Sequence, residues 1–361
     1  MSKYVLAINP GSTSTKVAVF EADKLIYEKS IDHAREQLDS FKTITDQYEL
    51  RKNFILEWLN EINVNINELS AIVGRGGLLR PMPGGTYVVS EPMIQDLKIG
   101  YQGEHASNLG GVIAQAIAEM ADVKGYIVDP VAVDEFDDVA RISGMPEIVR
   151  KSLGHALNIK AVGHSVALEL GKHFDEVNLI IAHLGGGISV APVRKGRILD
   201  YNNANEMGPF SPERTGGLPV GELINLCYSG KYTYSEMKTK LRGKGGLTAY
   251  LGTNDAREVE KMVISGDNYA KLVFEAMSYQ IAKEIGAMAT VLNGEIDAIV
   301  LTAGMAHSKF VTEFVTSMVE FIAPVILRPG GNEMAALNAG VQRVLKGKEE
   351  AKIYENEVKL N

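Results

Sequence analysis

A pattern of hairpin, helix, strand and glycine loop occurs twice along the chain, and this repeat constrains the fold more than any other feature of the sequence. In the first copy, the apolar run 4–8 ends in a polar turn, and a second strand is predicted at 16–20. In the second copy, the run 179–183 leads into the triple glycine 185–187, and a strand is predicted at 188–193. In each copy a predicted helix, at 54–62 and at 270–292, precedes a short apolar strand, at 71–73 and at 298–301, that runs into small residues. Two echoes in the same order, the hairpin and then the helix, strand and glycine segment, favour an internal duplication. Two unrelated α/β domains with common glycine turns are the alternative.

The composition excludes several classes of protein. The chain has 361 residues, so two domains are expected. Acidic residues outnumber basic ones by 45 to 37, and this charge does not attract a nucleic acid or a membrane surface. No apolar run approaches the roughly 18 residues of a membrane span. The single cysteine, Cys227, excludes an intrachain disulfide and a thiolate zinc cluster. We therefore expect a cytoplasmic protein with no nucleic-acid partner and no membrane partner.

Two turns have the composition of phosphate-binding loops. The first, at 9–16, combines small hydroxyl residues with a terminal lysine, and hydroxyls, amides and an ammonium group suit a phosphate. It is not a Walker A loop, because Thr15 precedes Lys16 and Val17 follows it. The second is the triple glycine, which allows a ligand to approach the backbone closely. A polar hairpin turn and a tight bend are the alternative interpretations.

Two acidic residues occupy positions suited to a metal ion on phosphates. Asp129 follows the predicted strand 125–128, and Glu333 begins a predicted helix in the other half of the repeat. Magnesium on phosphates takes only one or two carboxylates and keeps several waters. For Glu333, a stabilising acid at a helix N-terminus is the alternative.

Three further segments contain candidate functional residues. The small residues 303–306 follow a buried strand and could let an adenine or ribose lie against the backbone. Asp255 and Glu258 resemble a capping box, so simple helix capping is the alternative there. Arg214 lies in a turn-rich loop and His155 follows a glycine; a solvated arginine and a structural histidine are the alternatives.

Together these motifs resemble the acetate kinase family. The matching segments follow one another over nearly the whole chain, at 8–16, 128–130, 183–187, 214–216, 255–257 and 332–333. The resemblance implies an α/β fold of two duplicated ribonuclease-H-like domains around a nucleotide cleft, as in sugar kinases, Hsp70 and actin. We expect residues 1–152 and 336–361 to form the first domain and residues 153–335 to form the second, nucleotide-binding domain.

The resemblance also implies a role for individual residues, with ATP/ADP and Mg²⁺ as cofactors. The catalytic groups that stabilise the transferred phosphoryl group are Arg214 and His155. The phosphate-binding residues are Asn9, Gly11, Ser12, Ser14 and Lys16 in the first loop and His183, Gly185, Gly186 and Gly187 in the second. The nucleoside-binding residues are Asp255, Ala256, Arg257, Ala303, Gly304, Met305 and Ala306. The metal-linked acids are Asp129 and Glu333.

The acyl-binding residues depart from the family pattern. The family arginine that contacts the substrate carboxylate falls on Ile72 here, and Arg75, three residues later, is expected to replace it. Acetate kinases fill the acyl pocket with a valine and a phenylalanine at the positions of Gly74 and Gly154, so we expect room for a longer acyl chain.

The expected reaction is the reversible transfer of the ATP γ-phosphoryl group to butyrate by a homo-oligomer, giving butyryl phosphate and ADP. Acetate, propionate or isobutyrate is the alternative acceptor. A non-metabolic ATPase of the actin or Hsp70 type is the alternative from another class.

Overall fold

The structure is a computed structural model that describes residues 3–360, and these residues form two compact units. Unit 1 contains residues 3–134, 156–161 and 332–360, and unit 2 contains residues 135–155 and 162–331. The expected boundary at 152/153 therefore differs from the observed division. The reason is local hydrogen bonding within unit 2: Glu135 accepts the amide of Ile198 at 2.9 Å, and the amide of Asp137 donates to Leu199 at 3.1 Å.

Runs of strands and runs of helices follow one another along the described chain. The strands are β1 (Tyr4–Pro10), β2 (Ser14–Glu21), β3 (Lys24–Asp32), β4 (Leu69–Arg75), β5 (Thr86–Val88), β6 (Gly125–Val128), β7 (Asn178–Leu184), β8 (Ile188–Arg194), β9 (Arg197–Ile198), β10 (Ala298–Ala303), β11 (Val325–Pro329) and β12 (Lys352–Ile353). The helices are α1 (Arg35–Leu38), α2 (Tyr48–Glu61), α3 (Glu91–Ile99), α4 (Asn108–Ala121), α5 (Ala156–Glu169), α6 (Val220–Tyr228), α7 (Tyr234–Leu241), α8 (Gly246–Leu251), α9 (Ala256–Ile264), α10 (Asn268–Val291), α11 (Lys309–Val319), α12 (Glu333–Leu345) and α13 (Tyr354–Glu357). Short 3₁₀ turns lie at Thr45–Gln47, Ile66–Glu68, Asp138–Arg141, Phe174–Glu176 and Gly304–His307.

The sheets of the two units share a core of five strands with the same topology. In unit 1, β3, β2 and β1 form an antiparallel meander, and β4 and then β6 add to β1 in parallel. In unit 2, β9, β8 and β7 form the same meander, and β10 and then β11 add in parallel. The repeat in the sequence is therefore a duplicated fold, as expected. Unit 1 extends its sheet at the β6 edge with β5 and β12.

Strand β1, in the middle of the five-strand core of unit 1, is buried on both faces. Along β1, Leu6 and Ile8 pack against apolar residues of α2 and α4, while Val5 and Ala7 pack against α12. Alternate residues of a strand point to opposite faces, so a continuous apolar run is what a sheet covered on both sides requires. The helices thus fix β1, and its carboxyl end carries the first candidate loop.

Two properties of the described residues bear on the sequence analysis. Between residues 3 and 360, no helix combines the length and the apolar character needed to cross a bilayer. The thiol of Cys227, on α6, is free and exposed.

Candidate functional site

The first candidate loop lies in unit 1 and borders a cavity of about 530 Å³. Strand β1 ends at Pro10 and β2 begins at Ser14, so the loop itself is residues 11–13, closed by the amide of Gly11 donating to the Ser14 carbonyl at 2.7 Å. Six residues that the sequence predicted line this cavity: Asn9, Gly11, Ser12, Ser14, Lys16 and Arg75. The ammonium group of Lys16 is held by Glu28 at 3.1 Å.

Three predicted residues meet at the ends of β1 and β4 and the start of α12. The Nη1 of Arg75 lies 2.8 Å from Oε1 and 2.9 Å from Oε2 of Glu333, and Asn9 Nδ2 donates to the same carboxylate. Glu333 was expected in the opposite half from Asp129, but α12 places it in unit 1, where Met334 and Leu337 enter the core. Its negative charge is therefore paired with Arg75.

Asp129 is buried under the 84–85 turn of unit 1. Its Oδ1 accepts the amide of Gly85 at 2.7 Å, and a β-carbon at Gly84 would lie within 3 Å of both this oxygen and the Lys160 ammonium group. No cluster of three or more His, Cys, Asp or Glu able to hold a metal occurs in the described part of the chain. Carboxylate oxygens are the ligand type that magnesium prefers, so the donor chemistry of Asp129 and Glu333 fits this ion. In the structure, Asp129 accepts the amide of Gly85, and Glu333 is paired with Arg75.

The second candidate loop, in unit 2, brings both predicted catalytic residues together. The imidazole rings of His155 and His183 are stacked, with centroids 3.9 Å apart, and His155 Nδ1 lies 3.0 Å from the Ser189 hydroxyl. A β-carbon at Gly187 would lie 2.2 Å from Nη1 of Arg214. This glycine is therefore required so that the guanidinium of Arg214 can lie directly on the loop.

The charge of Arg214 is available for a ligand. Burial of the guanidinium lowers its pKa; Glu213 opposes this effect and Arg242 adds to it. Among residues 3–360, no carboxylate lies within ion-pair distance of Arg214. This partly buried cation has no anion of its own among the described residues, and an anionic ligand would compensate its charge.

The predicted nucleoside segments meet at a second cavity of about 530 Å³, within unit 2. Its lining contains seven residues from three separate predicted segments: Gly185, Gly186, Asp255, Ala256, Arg257, Gly304 and Met305. Ala303 and Ala306 are buried beside this lining rather than part of it.

Asp255 combines the capping role with a second contact. Its side chain accepts the amide of Arg257 at the start of α9, and it also binds the Arg257 guanidinium at 2.6 Å. These hydrogen bonds from Arg257 lower the pKa of Asp255 to about 2. The capping interpretation is thus confirmed, and it leaves a flat, exposed guanidinium at the cavity wall, suited to stacking on an aromatic base.

The expected vacant space at Gly74 and Gly154 is filled by other parts of the chain. A β-carbon at Gly74 would lie 2.0 Å from the carbonyl oxygen of Gly110 in α4, and one at Gly154 would lie 2.6 Å from the ring of Tyr201. The volume argument for a longer acyl chain was therefore wrong at both positions. Neither glycine has a positive φ, so close packing explains both.

Sequence reasoning missed several residues of both cavities. In unit 1 these are Gln47, Arg51, Glu104, His105 and Ala106, and in unit 2 they are Pro212, Asn254, Glu260, His307 and Ser308. For Arg51 alone among these residues, the sequence contains one indication of an unusual role. Arg51 precedes Ile55 by four residues and Trp58 by seven, so it is a charged residue on the apolar stripe of a helix. The others carry no local signal.

Comparisons with known proteins agree with this geometry. The family model described as "Acetokinase family" matches residues 145–344. The chain is 57% identical over 350 residues to "Probable butyrate kinase 2" of Caldanaerobacter subterraneus subsp. tengcongensis and 53% identical over 351 residues to "Butyrate kinase 2" of Clostridium acetobutylicum. Each alignment covers 97% of this chain and 99% of the relative.

A solved structure supports the fold independently. The crystal structure of Porphyromonas gingivalis acetate kinase superposes with a TM-score of 0.78 at 19% identity, covering 95% of this chain and all of the other. The family model and the relatives, which match almost end to end, agree with the duplicated sheets and with the glycine loop against which the Arg214 guanidinium lies. The chain belongs to the acetokinase family.

Proposed function

We propose that this protein transfers the γ-phosphoryl group of ATP reversibly to butyrate, giving butyryl phosphate and ADP. One observation is the main support for the proposal. Gly185 and Gly186 line the unit 2 cavity, and the Arg214 guanidinium lies against Gly187 of the same loop. A nucleotide with its base in the cavity would extend its phosphates along the loop to Arg214. The choice of butyrate as acceptor is supported by the names of the relatives that are 50–57% identical.

The residues of unit 2 supply electrostatic stabilisation. In phosphoryl transfer, charge is spread over the equatorial oxygens of the transferred group, and catalysis consists largely of positioning and charge compensation. Arg214 would compensate that charge through a partly buried guanidinium that has no acidic partner among residues 3–360. The ring of His155 would donate a hydrogen bond to one of these oxygens, with its orientation fixed by Ser189 and the stacked ring of His183. A carboxylate acceptor carries no proton to remove, so no general base is needed.

Arg75 would bind the substrate carboxylate in unit 1. Its Nη1 is used by Glu333, whereas in the described structure its Nε and Nη2 have no protein acceptor. These two donors form the planar fork that matches a carboxylate. Asn9 and Glu333 hold the guanidinium in place.

Magnesium would neutralise the phosphate charges, as it does in most phosphoryl transfer. Asp129 and Glu333 are the carboxylates that would hold its waters. We further propose that the enzyme is a cytoplasmic homo-oligomer. Light scattering on the purified protein tests the oligomeric state, and fractionation of the producing cells tests the location.

The test is an ATP-dependent hydroxamate assay across straight and branched acids of two to six carbons. We expect kcat/KM for butyrate to exceed that for acetate by at least about tenfold, because each buried methylene contributes about 1–3 kcal/mol to discrimination. A higher kcat/KM for acetate would transfer the assignment to another acid. No acyl phosphate from any acid would overturn it altogether.

A further inference from the structure

The guanidinium of Arg51 lies directly beneath the first phosphate loop and is fully buried. Arg51 sits in the first turn of α2, and its solvent exposure is 0%. Its Nη1 donates to the carbonyl oxygens of Gly11 at 2.8 Å and Ser14 at 3.0 Å, and its Nη2 donates to that of Ser12 at 3.2 Å. One side chain thus binds three carbonyl groups of the loop from its inner side.

This arrangement is unfavourable as a purely structural device. Among residues 3–360, no carboxylate lies within ion-pair distance of Arg51, and its remaining partners are the neutral side chains of Gln47 and Thr15. Burial lowers the pKa of Arg51 to about 10, so the guanidinium stays charged at neutral pH. The first turn of a helix also disfavours a cation. Buried charges are rarely left without a counter-charge.

The hydrogen bonds of Arg51 determine where the loop amides point. In a trans peptide the N–H of each residue points opposite to the carbonyl of the residue before it. Because the carbonyls of Gly11 and Ser12 point inward to Arg51, the amides of Ser12 and Thr13 point outward. Within the described residues, neither of these amides has a hydrogen-bond acceptor, and both residues are exposed. Two successive free amides form a concave anion site.

We propose that Arg51 is the positioning residue of the phosphate loop: it turns the amides of Ser12 and Thr13 outward to receive a phosphoryl group and places a positive charge behind them. The ligand is a phosphate monoanion or dianion, which under the proposed function is the phosphoryl group of the acyl phosphate. Arg51 acts through the loop and does not touch the ligand itself.

The test compares Arg51→Met, which removes the charge and the fork, with Arg51→Lys, which keeps only the charge. Arg343→Met is the matched control, because Arg343 is a partly buried arginine of unit 1 that is paired with Glu349 away from the loop. Four quantities are measured on the full chain: kcat and KM in the direction from butyryl phosphate and ADP, the melting temperature, and the rise of the melting temperature with added inorganic phosphate.

For Arg51→Met we expect a KM for butyryl phosphate raised about tenfold or more and a kcat lowered about 10²-fold, as for loss of preorganised donors. The KM for ADP should stay within about twofold of the wild-type value, since nucleotide residues lie in unit 2. The rise of melting temperature with phosphate should disappear. Arg51→Lys should show a smaller change in the same direction, and Arg343→Met should keep both the phosphate response and the wild-type KM.

A folded Arg51→Met protein with wild-type KM for butyryl phosphate and a wild-type phosphate response would overturn the proposal. If Arg51→Met does not fold, Arg51→Lys decides: an unchanged KM and an unchanged phosphate response overturn the proposal, and a raised KM supports it. The inference rests on the proposed function only for the identity of the phosphoryl ligand. Inorganic phosphate binding reports on the loop even if the wild-type protein does not act on butyrate.

Discussion

At the scale of single residues, Arg214 is the side chain whose removal should most affect turnover. Its guanidinium lies on the backbone of Gly187 and has no acidic partner among residues 3–360. We expect Arg214→Ala to lower kcat by roughly 10²–10³-fold, the usual effect of removing a preorganised transition-state donor. The KM for ATP should change little.

Steady-state kinetics at saturating butyrate check this expectation. Arg242→Ala is the control, because Arg242 is a neighbouring arginine whose backbone forms a β-bridge with the backbone of Arg214. A similar loss of kcat in both variants would indicate a general effect of removing cations, not a specific role for Arg214.

Ala303 tests backbone strain beside the nucleoside cavity. Its φ of 72° and ψ of −166° belong to a region that only glycine populates readily, a conformation that costs about 1–3 kcal/mol. We expect Ala303→Gly to raise the free energy of unfolding by about 1 kcal/mol. Ala298→Gly, at the start of the same strand, should lower it, because glycine destabilises an ordinary strand. Urea titration of both variants distinguishes strain at Ala303 from a general effect of glycine in β10.

At the scale of secondary-structure elements, Gly74 determines how closely α4 approaches β4. An added methyl group would meet the Gly110 carbonyl, so Gly74→Ala should destabilise the protein by about 1–3 kcal/mol. The control is Gly286→Ala on α10, where nothing lies within 4 Å, and there a gain of up to about 1 kcal/mol is expected.

The same variant separates packing from acyl specificity. After the rates are corrected for the fraction of folded protein, Gly74→Ala should change kcat/KM for acetate and butyrate by the same factor. A selective loss of butyrate activity would restore the acyl-pocket interpretation of this position.

The sequence predicted elements well where local pattern determines them. Strand β6 runs over the predicted residues, and the long helix predicted at 270–292 is α10 at Asn268–Val291. The buried strand predicted at 298–301 lies within β10, which begins at Ala298. The short strands β5 and β12 were missed because edge pairing between distant segments leaves no local pattern.

The site was predictable where glycine or charge composition marks a loop, and not where distant segments decide the geometry. Arg51 was missed because its partners are backbone carbonyls, which no sequence motif displays. Gly74 and Gly154 were misinterpreted because an absent side chain was taken as empty space. In the fold, Gly110 and Tyr201 occupy that space.

At the scale of the whole molecule, His33 links folding to pH. It is buried, with Nε2 2.8 Å from the Thr15 hydroxyl, and burial, followed by the Arg51 charge, lowers its pKa to about 4, while Asp32 opposes the shift. An unfolded histidine titrates near 6.5. As pH falls from about 6.5 to about 4, the unfolded state gains a proton that the folded state does not bind, so stability falls in that window.

We expect His33→Gln to remove part of this pH dependence, roughly 1–2 kcal/mol at pH 5. Urea unfolding of the variant and the wild-type protein between pH 4.5 and 7.5 measures the difference. The other titrating groups contribute equally to both proteins and cancel in the comparison. Parallel stability curves for the two proteins would show that His33 titrates normally.

The position of α12 has a consequence for synthesis on the ribosome. Met334, Leu337 and Val341 complete the core under β1, yet they are translated only after all of unit 2. The nascent chain therefore displays Val5, Ala7 and Val73 without their covering helix throughout translation of the intervening residues. Domains usually fold in the order in which they emerge. Here the unit that is translated first is completed last, and one face of its sheet lacks its covering helix until α12 has been translated.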